Sequence, residues 1–231
     1  MKFVPFLSAL VLCAASQLSA APASVRLVHG IPGLDVSVSL GNLGCKARNF
    51  KFGDVAAPLP LPAGTYQVSI HPGADCTAAA IEGFANLPVT VADNEDVTLA
   101  AHLTAAGTPT ISRFDNPAAR PAAGRARVIV HHVAAAPEVD VTFERMSGKA
   151  AVVPDFANQS GGGAPILLEL KPGEWQASVS VAGSNAVALG PLHLSFAANQ
   201  MYLIYAIGSA VGGTLDVKAI VVPLPQPPAA Q

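Results

Sequence analysis

"ARVIVHHVAAAPEVDVTF", residues 126–143, is the stretch on which the reading of this chain turns. Branched residues alternate up to a histidine pair, a proline-bearing loop follows, and a second alternating run starts at Val139. Successive side chains of a strand point to opposite faces, so His131 and His132 cannot both ligate one metal from one face. The pattern predicts two strands joined by a loop. It gives His131 a structural role: an imidazole at the strand end, hydrogen-bonded to the loop that leads into Asp140.

An earlier stretch repeats this one. "SVRLVHGIPGLDVSVSL", residues 24–40, matches if the first copy is three residues shorter, which pairs His29 with His131 and Asp35 with Asp140. "LPAGTYQVSI" from Leu61 matches "LKPGEWQASV" from Leu170, and "LPVTVADNEDVTLAAHLTA" from Leu87 matches "LHLSFAANQMYLIYAIGSA" from Leu192. "TPTISRFDNP" from Thr108 matches "TLDVKAIVVP" from Thr214. Four blocks in the same order, offset by about one hundred residues, read as a tandem duplication of a unit of single-domain size. The expected division is a first repeat over 21–116, a linker over 117–124, a second repeat over 125–223 and a proline-rich tail over 224–231.

Within each unit the period is two. Val97, Leu99, Ala101 and Leu103 alternate with Thr98, Ala100 and His102, and Tyr66, Val68 and Ile70 alternate with Gln67, Ser69 and His71. Leu192, Leu194 and Phe196 alternate with His193 and Ser195, so His71, His102 and His193 fall on the polar phase and are expected to face solvent. Pro172-Gly173 predicts a type II turn, with Ala63-Gly64 doing the same in the first copy. No stretch reads as an amphipathic helix. Seven or so short strands per unit, in a chain with twenty glycines and twenty prolines, predict two tandem immunoglobulin-like antiparallel β-sandwiches.

A branched strand ending in Val-His, a proline-containing loop, Val-Asp-Val, then Leu-x-x-Gly-x-aromatic: this series resembles the bacterial domain of unknown function 4397. "VIVHHVAAAPEVDV" and "LKPGEW" carry the resemblance, with "HGIPGLDV" in the first copy. The resemblance implies a secreted or envelope-associated protein, often tandem, with a β-sandwich fold. It implies no activity.

"MKFVPFLSALVLCAASQLSA" has a lysine, an apolar run and small residues, and reads as a secretory signal peptide over 1–20. No later run reaches eighteen apolar residues, so no membrane span is expected. Charged residues make up 12% of the chain with net charge −2, which leaves no basic patch for nucleic acid. In an exported chain Cys45 and Cys76 read as one disulfide; a metal-binding thiol pair would want a C-x-x-C spacing that is missing.

The remaining candidates have structural readings. Asp35 and Asp140 fall in different units, too far apart in plan for paired-carboxylate catalysis, and read as loop-bonding groups. "VADNED", residues 91–96, reads as a solvated hairpin turn rather than a calcium loop, since the second copy has "FAANQM" there. "SGGGAP", residues 160–165, lacks the Lys-Ser/Thr of a phosphate loop and reads as a flexible loop. No G-x-S-x-G occurs. The expectation is a non-catalytic binding, adhesion or scaffolding module of the cell envelope, with no catalytic residue, metal or cofactor and with a protein or cell-surface partner. The alternative is a periplasmic metal or small-ligand carrier that uses its histidines.

Overall fold

The computed structural model describes residues 21–117, 119–146, 148 and 150–223. The signal peptide read over 1–20 and the tail over 224–231 lie outside the described residues.

Among the described residues sixteen strands form two units of eight. The first unit contains β1 (Ala23–His29), β2 (Val36–Leu40), β3 (Cys45–Phe50), β4 (Val55–Leu61), β5 (Gly64–Pro72), β6 (Leu87–Val91), β7 (Asp96–Leu103) and β8 (Pro109–Asp115). The second contains β9 (Ala126–His132), β10 (Val139–Arg145), β11 (Ala150–Phe156), β12 (Ile166–Leu170), β13 (Gly173–Val181), β14 (Val187–Phe196), β15 (Gln200–Ile207) and β16 (Asp216–Pro223). The sheets run β4-β1-β7-β8 and β3-β2-β5-β6 in the first unit, and β12-β9-β15-β16 and β11-β10-β13-β14 in the second. Strand for strand this is one plan used twice. It differs from the sequence expectation in having eight strands per unit and one parallel pair in each, β1 with β7 and β9 with β15.

Period-two patterning builds both interiors. Ala23, Val25 and Leu27 of β1 face Val36, Val38 and Leu40 of β2; Ala126, Val128 and Val130 of β9 face Val139, Val141 and Phe143 of β10. Each fully buried valine, leucine or phenylalanine among them contributes about 1.5–3 kcal/mol. The first unit is stapled by Cys45–Cys76, which ties the start of β3 to the 73–86 segment. Closing that loop stabilises by roughly 3–4 kcal/mol on the chain-entropy view.

A third core joins the units. Val28, Ala100 and Phe114 of the first pack against Ile129, Val133, Met201, Leu203, Tyr205, Ile207 and Val222 of the second. The sheets β4-β1-β7-β8 and β12-β9-β15-β16 therefore bury both faces near this seam, one in their own sandwich and one against the other unit. Gly30 and Gly208 meet across it, with Gly208 N donating to Gly30 O at 3.2 Å. A Cβ on Gly30 would come within 3.0 Å of Ile207, so the close approach depends on glycine there. The connecting segment is held as well. The Arg127 guanidinium donates to the carbonyls of Ala119 and Arg120, and Glu169 accepts from Ala122 N at 3.2 Å.

Candidate functional site

His29 and His132 end their strands on the inward phase. His29 Nε2 lies 2.7 Å from Leu34 O, and His132 Nε2 lies 3.1 Å from Pro137 O. Each bond spans five residues and closes the loop that carries the chain from one sheet of the sandwich to the other. Nε2–H donates to the carbonyl, which leaves Nδ1 as an acceptor; in both rings Nδ1 is buried and unpartnered. Each ring also meets a phenylalanine, Phe50 at 5.8 Å and Phe156 at 5.9 Å.

The repeat partner of His29 is thus His132, not His131. The two loops are equally long, and no three-residue gap separates the copies. A one-residue slip turns a strand's side chains to the opposite face, and the gapped alignment made that slip. Asp35 and Asp140 are not equivalent either. Asp35 is exposed and its carbonyl accepts from Gly73 N, as the Glu138 carbonyl accepts from Ala182 N. The counterpart of Asp140 is Ser37. Asp140 accepts from Asp155 N at 3.0 Å and from Gly183 N at 3.2 Å. Ser37 Oγ accepts from Asn49 N at 3.4 Å and donates to Gly73 O at 2.9 Å. Asn49 and Asp155 have φ of 46° and 54°, so both side chains brace a left-handed bulge on the neighbouring strand.

Gly64 and Gly173 open β5 and β13 rather than sit in type II turns. Gly64, at φ 159°, is extended, and Gly173, at 123°, is far from the roughly 80° of such a turn. What the motif positions is the aromatic residue two places on. Tyr66 Oη donates to Pro62 O at 2.8 Å and Trp175 Nε1 to Lys171 O at 2.9 Å. The "VADNED" turn joins strands of different sheets and is not a hairpin; Glu95 accepts from Ala92 N and pairs with Arg113.

His131 faces the seam. Its ring stacks on Tyr205 at 4.8 Å and lies 4.3 Å from Phe114, and Nδ1 is 3.0 Å from Gln159 Oε1. Gln159 accepts from His132 N as well and donates to Gly163 O, while Asn158 donates to Leu103 O of the first unit and to Ala134 O. The start of the glycine-rich segment is therefore an anchor. His102 is buried outright, against the expectation that it faces solvent, because the second unit covers the outer face of β7. It sits 2.8 Å from Ser112 Oγ. His71 is half-buried, 2.9 Å from Ser39 Oγ, and His193 is exposed.

Burial governs the ionisation of the four buried rings. It pulls His131 down to about 4, and it lowers His29, His102 and His132 as well. These imidazoles are neutral at pH 7. Near them the seam holds a polar cluster that composition did not flag: Arg26 pairs with Asp96, and Asn116 donates to Asp96 at 2.8 Å and to Thr98 at 3.0 Å. The Tyr205 hydroxyl approaches Thr98 without a well-formed hydrogen bond, and burial raises its pKa.

Between the sheets of each unit lie small, largely apolar spaces: one in the second, lined by His132, Ala188 and Leu189 among others, and two in the first, the outer of them lined by Ile81 and Phe84.

The family described as "Domain of unknown function (DUF4397)" matches residues 23–142, which runs from β1 through the first sandwich into β10. No curated protein matches the sequence. Among solved structures, the Bacillus anthracis TIE protein is 12% identical with a TM-score of 0.27, over 80% of this chain and 50% of that one. The chain thus spans half the length of that protein. A candidate cell adhesion protein from Bacteroides ovatus is 8% identical with a TM-score of 0.28, over 91% of this chain and all of that one. Likenesses at this level carry no argument about function.

Proposed function

The chain belongs to the domain of unknown function 4397 family, and we propose that it is an exported, non-catalytic binding or scaffolding module of the cell envelope. The observation that carries the reading is where its buried polar side chains are spent. His29 and His132 close loops, Ser37 and Asp140 brace bulges, Asn158 bonds Leu103 across the seam, and beside it Gln159 holds His131 and Arg26 pairs with Asp96. Groups so committed do not converge on a space where a reacting atom would sit. What remains outward is sheet surface, and a seam that fixes the two sandwiches in one orientation. Such a body suits the holding of a partner, in an oxidising compartment where Cys45–Cys76 persists.

The metal-carrier reading loses support from the same geometry. His131 and His132 point to opposite faces, and His29 and His132 each use Nε2 on a carbonyl. The test is affinity capture from the native host's envelope with residues 21–231 as bait, alongside zinc and copper titration. The expected outcome is a defined protein or surface component held through a salt wash, because the chain is low in charge. Stoichiometric tight metal binding, lost on His132→Ala, would overturn the reading in favour of the carrier.

A further inference from the structure

The strand register gives the molecule two unlike ends. β1 and β7 run parallel, as do β9 and β15, and the four strands finish together: Gly30 N donates to Ala101 O at 2.7 Å and Gly208 N to Gly30 O at 3.2 Å. The loops 30–35, 51–54, 104–108, 133–138, 157–165, 182–186 and 208–215 gather at this end, with the start of the 73–86 segment. At the far end Ala23 pairs with Leu61 and Pro223 with Gln200, and Asn199 N donates to Arg125 O beside the linker.

The loop end carries an exposed apolar tip on a rigid support. Ala210 N donates to Ala135 O at 2.9 Å, Thr214 N to Ser209 O at 3.0 Å, and Gly212 N to Ser209 Oγ at 3.1 Å. These bonds fix the 208–215 turn and hold Val211 at its tip, fully exposed. Closing the sheet does not require this: the matching turn of the first unit, 104–108, is shorter and carries Ala105 and Ala106. Leu34, Val181 and Val187 are exposed at the same end. The charge there is one-sided. Its loops and the 73–86 segment bear Asp35, Asp54, Asp75, Glu82 and Glu138 against Lys51, with Arg48 of β3 beside Asp75. In the turns and linker of the far end Arg120, Arg125 and Lys171 outnumber Asp93 and Glu95.

We propose that this loop end is the surface that takes the partner, and that the partner is a protein presenting aliphatic side chains ringed by lysine or arginine. The inference rests on the reading of the chain as a binding module and says where and what it binds. Val211 and Leu34 bury apolar area on contact, while the acidic rim selects a basic counterpart and speeds encounter. The same charge repels an anionic lipid surface.

The experiment produces the full chain in its native host with the photoreactive residue p-benzoylphenylalanine in place of Val211, or, in separate chains, of Met146 at the far end or Val152 on β11, both of them exposed. Irradiation of the envelope should give a discrete protein adduct from position 211, about tenfold stronger than from 146 or 152. The cross-linked peptide should be rich in lysine or arginine. Adding Asp35→Lys/Glu138→Lys should weaken the adduct about threefold. Both replaced side chains are exposed, and an unchanged melting temperature of purified residues 21–231 carrying them confirms that the fold is kept. An adduct with lipid, with a second copy of this chain or with an acidic peptide overturns the proposal, as does one that forms from 146 or 152 instead or ignores the charge reversal. Absence of any adduct overturns it too. Affinity capture then decides the broader reading separately: a captured partner leaves the scaffolding role standing, and an empty bait removes it.

Discussion

The interiors of the two units repeat; their seam faces do not. Inside, His29 and His132 hold the same loop carbonyl, and Phe50 and Phe156 lie against them. On the outward phase of the same strands Arg26 answers to Ile129 and Val28 to His131. Along β7 the first unit has Thr98, Ala100 and His102 where β15 has Leu203, Tyr205 and Ile207. Along β7 the residues are small or polar and along β15 they are large and apolar, so these two strands interlock where two identical ones would not. What a duplicated unit keeps is what closes its own sandwich. What it changes is what makes the copies complementary, and here that change lets the two repeats share a third core.

Several changes would break or sharpen this contrast. The largest effect belongs to Tyr205→Ala. It empties the aromatic stack with His131 and Phe114 and should cost about 3–5 kcal/mol, lowering the unfolding midpoint of both units together in urea titrations. Were only the second unit affected, the seam would not couple them.

Acid should act next. The unfolded chain takes up protons at its histidines below about pH 6.5, whereas folded His131 stays neutral down to about 4. The unfolded state binds more protons in that window, so stability is complete above pH 6.5 and falls as pH drops toward 4. His131 alone should account for roughly 3 kcal/mol by pH 4, with His29, His102 and His132 adding in the same direction. Unfolding midpoints across pH 4–8 check this, and a flat profile would contradict it. His131→Leu should make the decline shallower.

His29→Ala and His132→Ala should each cost about 1–3 kcal/mol, by loss of a buried hydrogen bond and of packing. Their values should agree more closely with each other than either does with His131→Ala, whose ring lies in the seam. Tyr205→Phe is expected to be the mildest, within about 0.5 kcal/mol of the parent, since the hydroxyl makes no well-formed hydrogen bond. A loss near that of Tyr205→Ala would mean that the hydroxyl, not the ring, holds the seam.

The strands, the duplication and the disulfide were legible because alternation, repeated blocks and an even cysteine pair each have a local cause. The phase of His102 was legible too, but not its burial: a period of two says which face a residue is on, not what covers that face. One signal did carry the missing fact. "MYLIYAI", residues 201–207, is apolar on both phases, the mark of a strand buried on both sides. The pairing of His29 was missed because aligning the two Asp-containing motifs placed a gap in the loop and slipped the register by one. The anchoring by Asn158 and Gln159 had no sequence signal, since their partners lie in strands distant along the chain.

Trp175 offers the most direct test, because it is the chain's only tryptophan, is buried, and lies in the unit without cysteines. Urea unfolding of residues 21–231 would be followed by Trp175 fluorescence and by far-ultraviolet circular dichroism, with Cys45–Cys76 intact and then reduced. If the seam makes one cooperative body, reduction in the first unit moves the Trp175 transition to lower urea, and the two signals stay superimposed. A Trp175 transition that does not move on reduction, while the circular dichroism splits into two steps, would contradict the account.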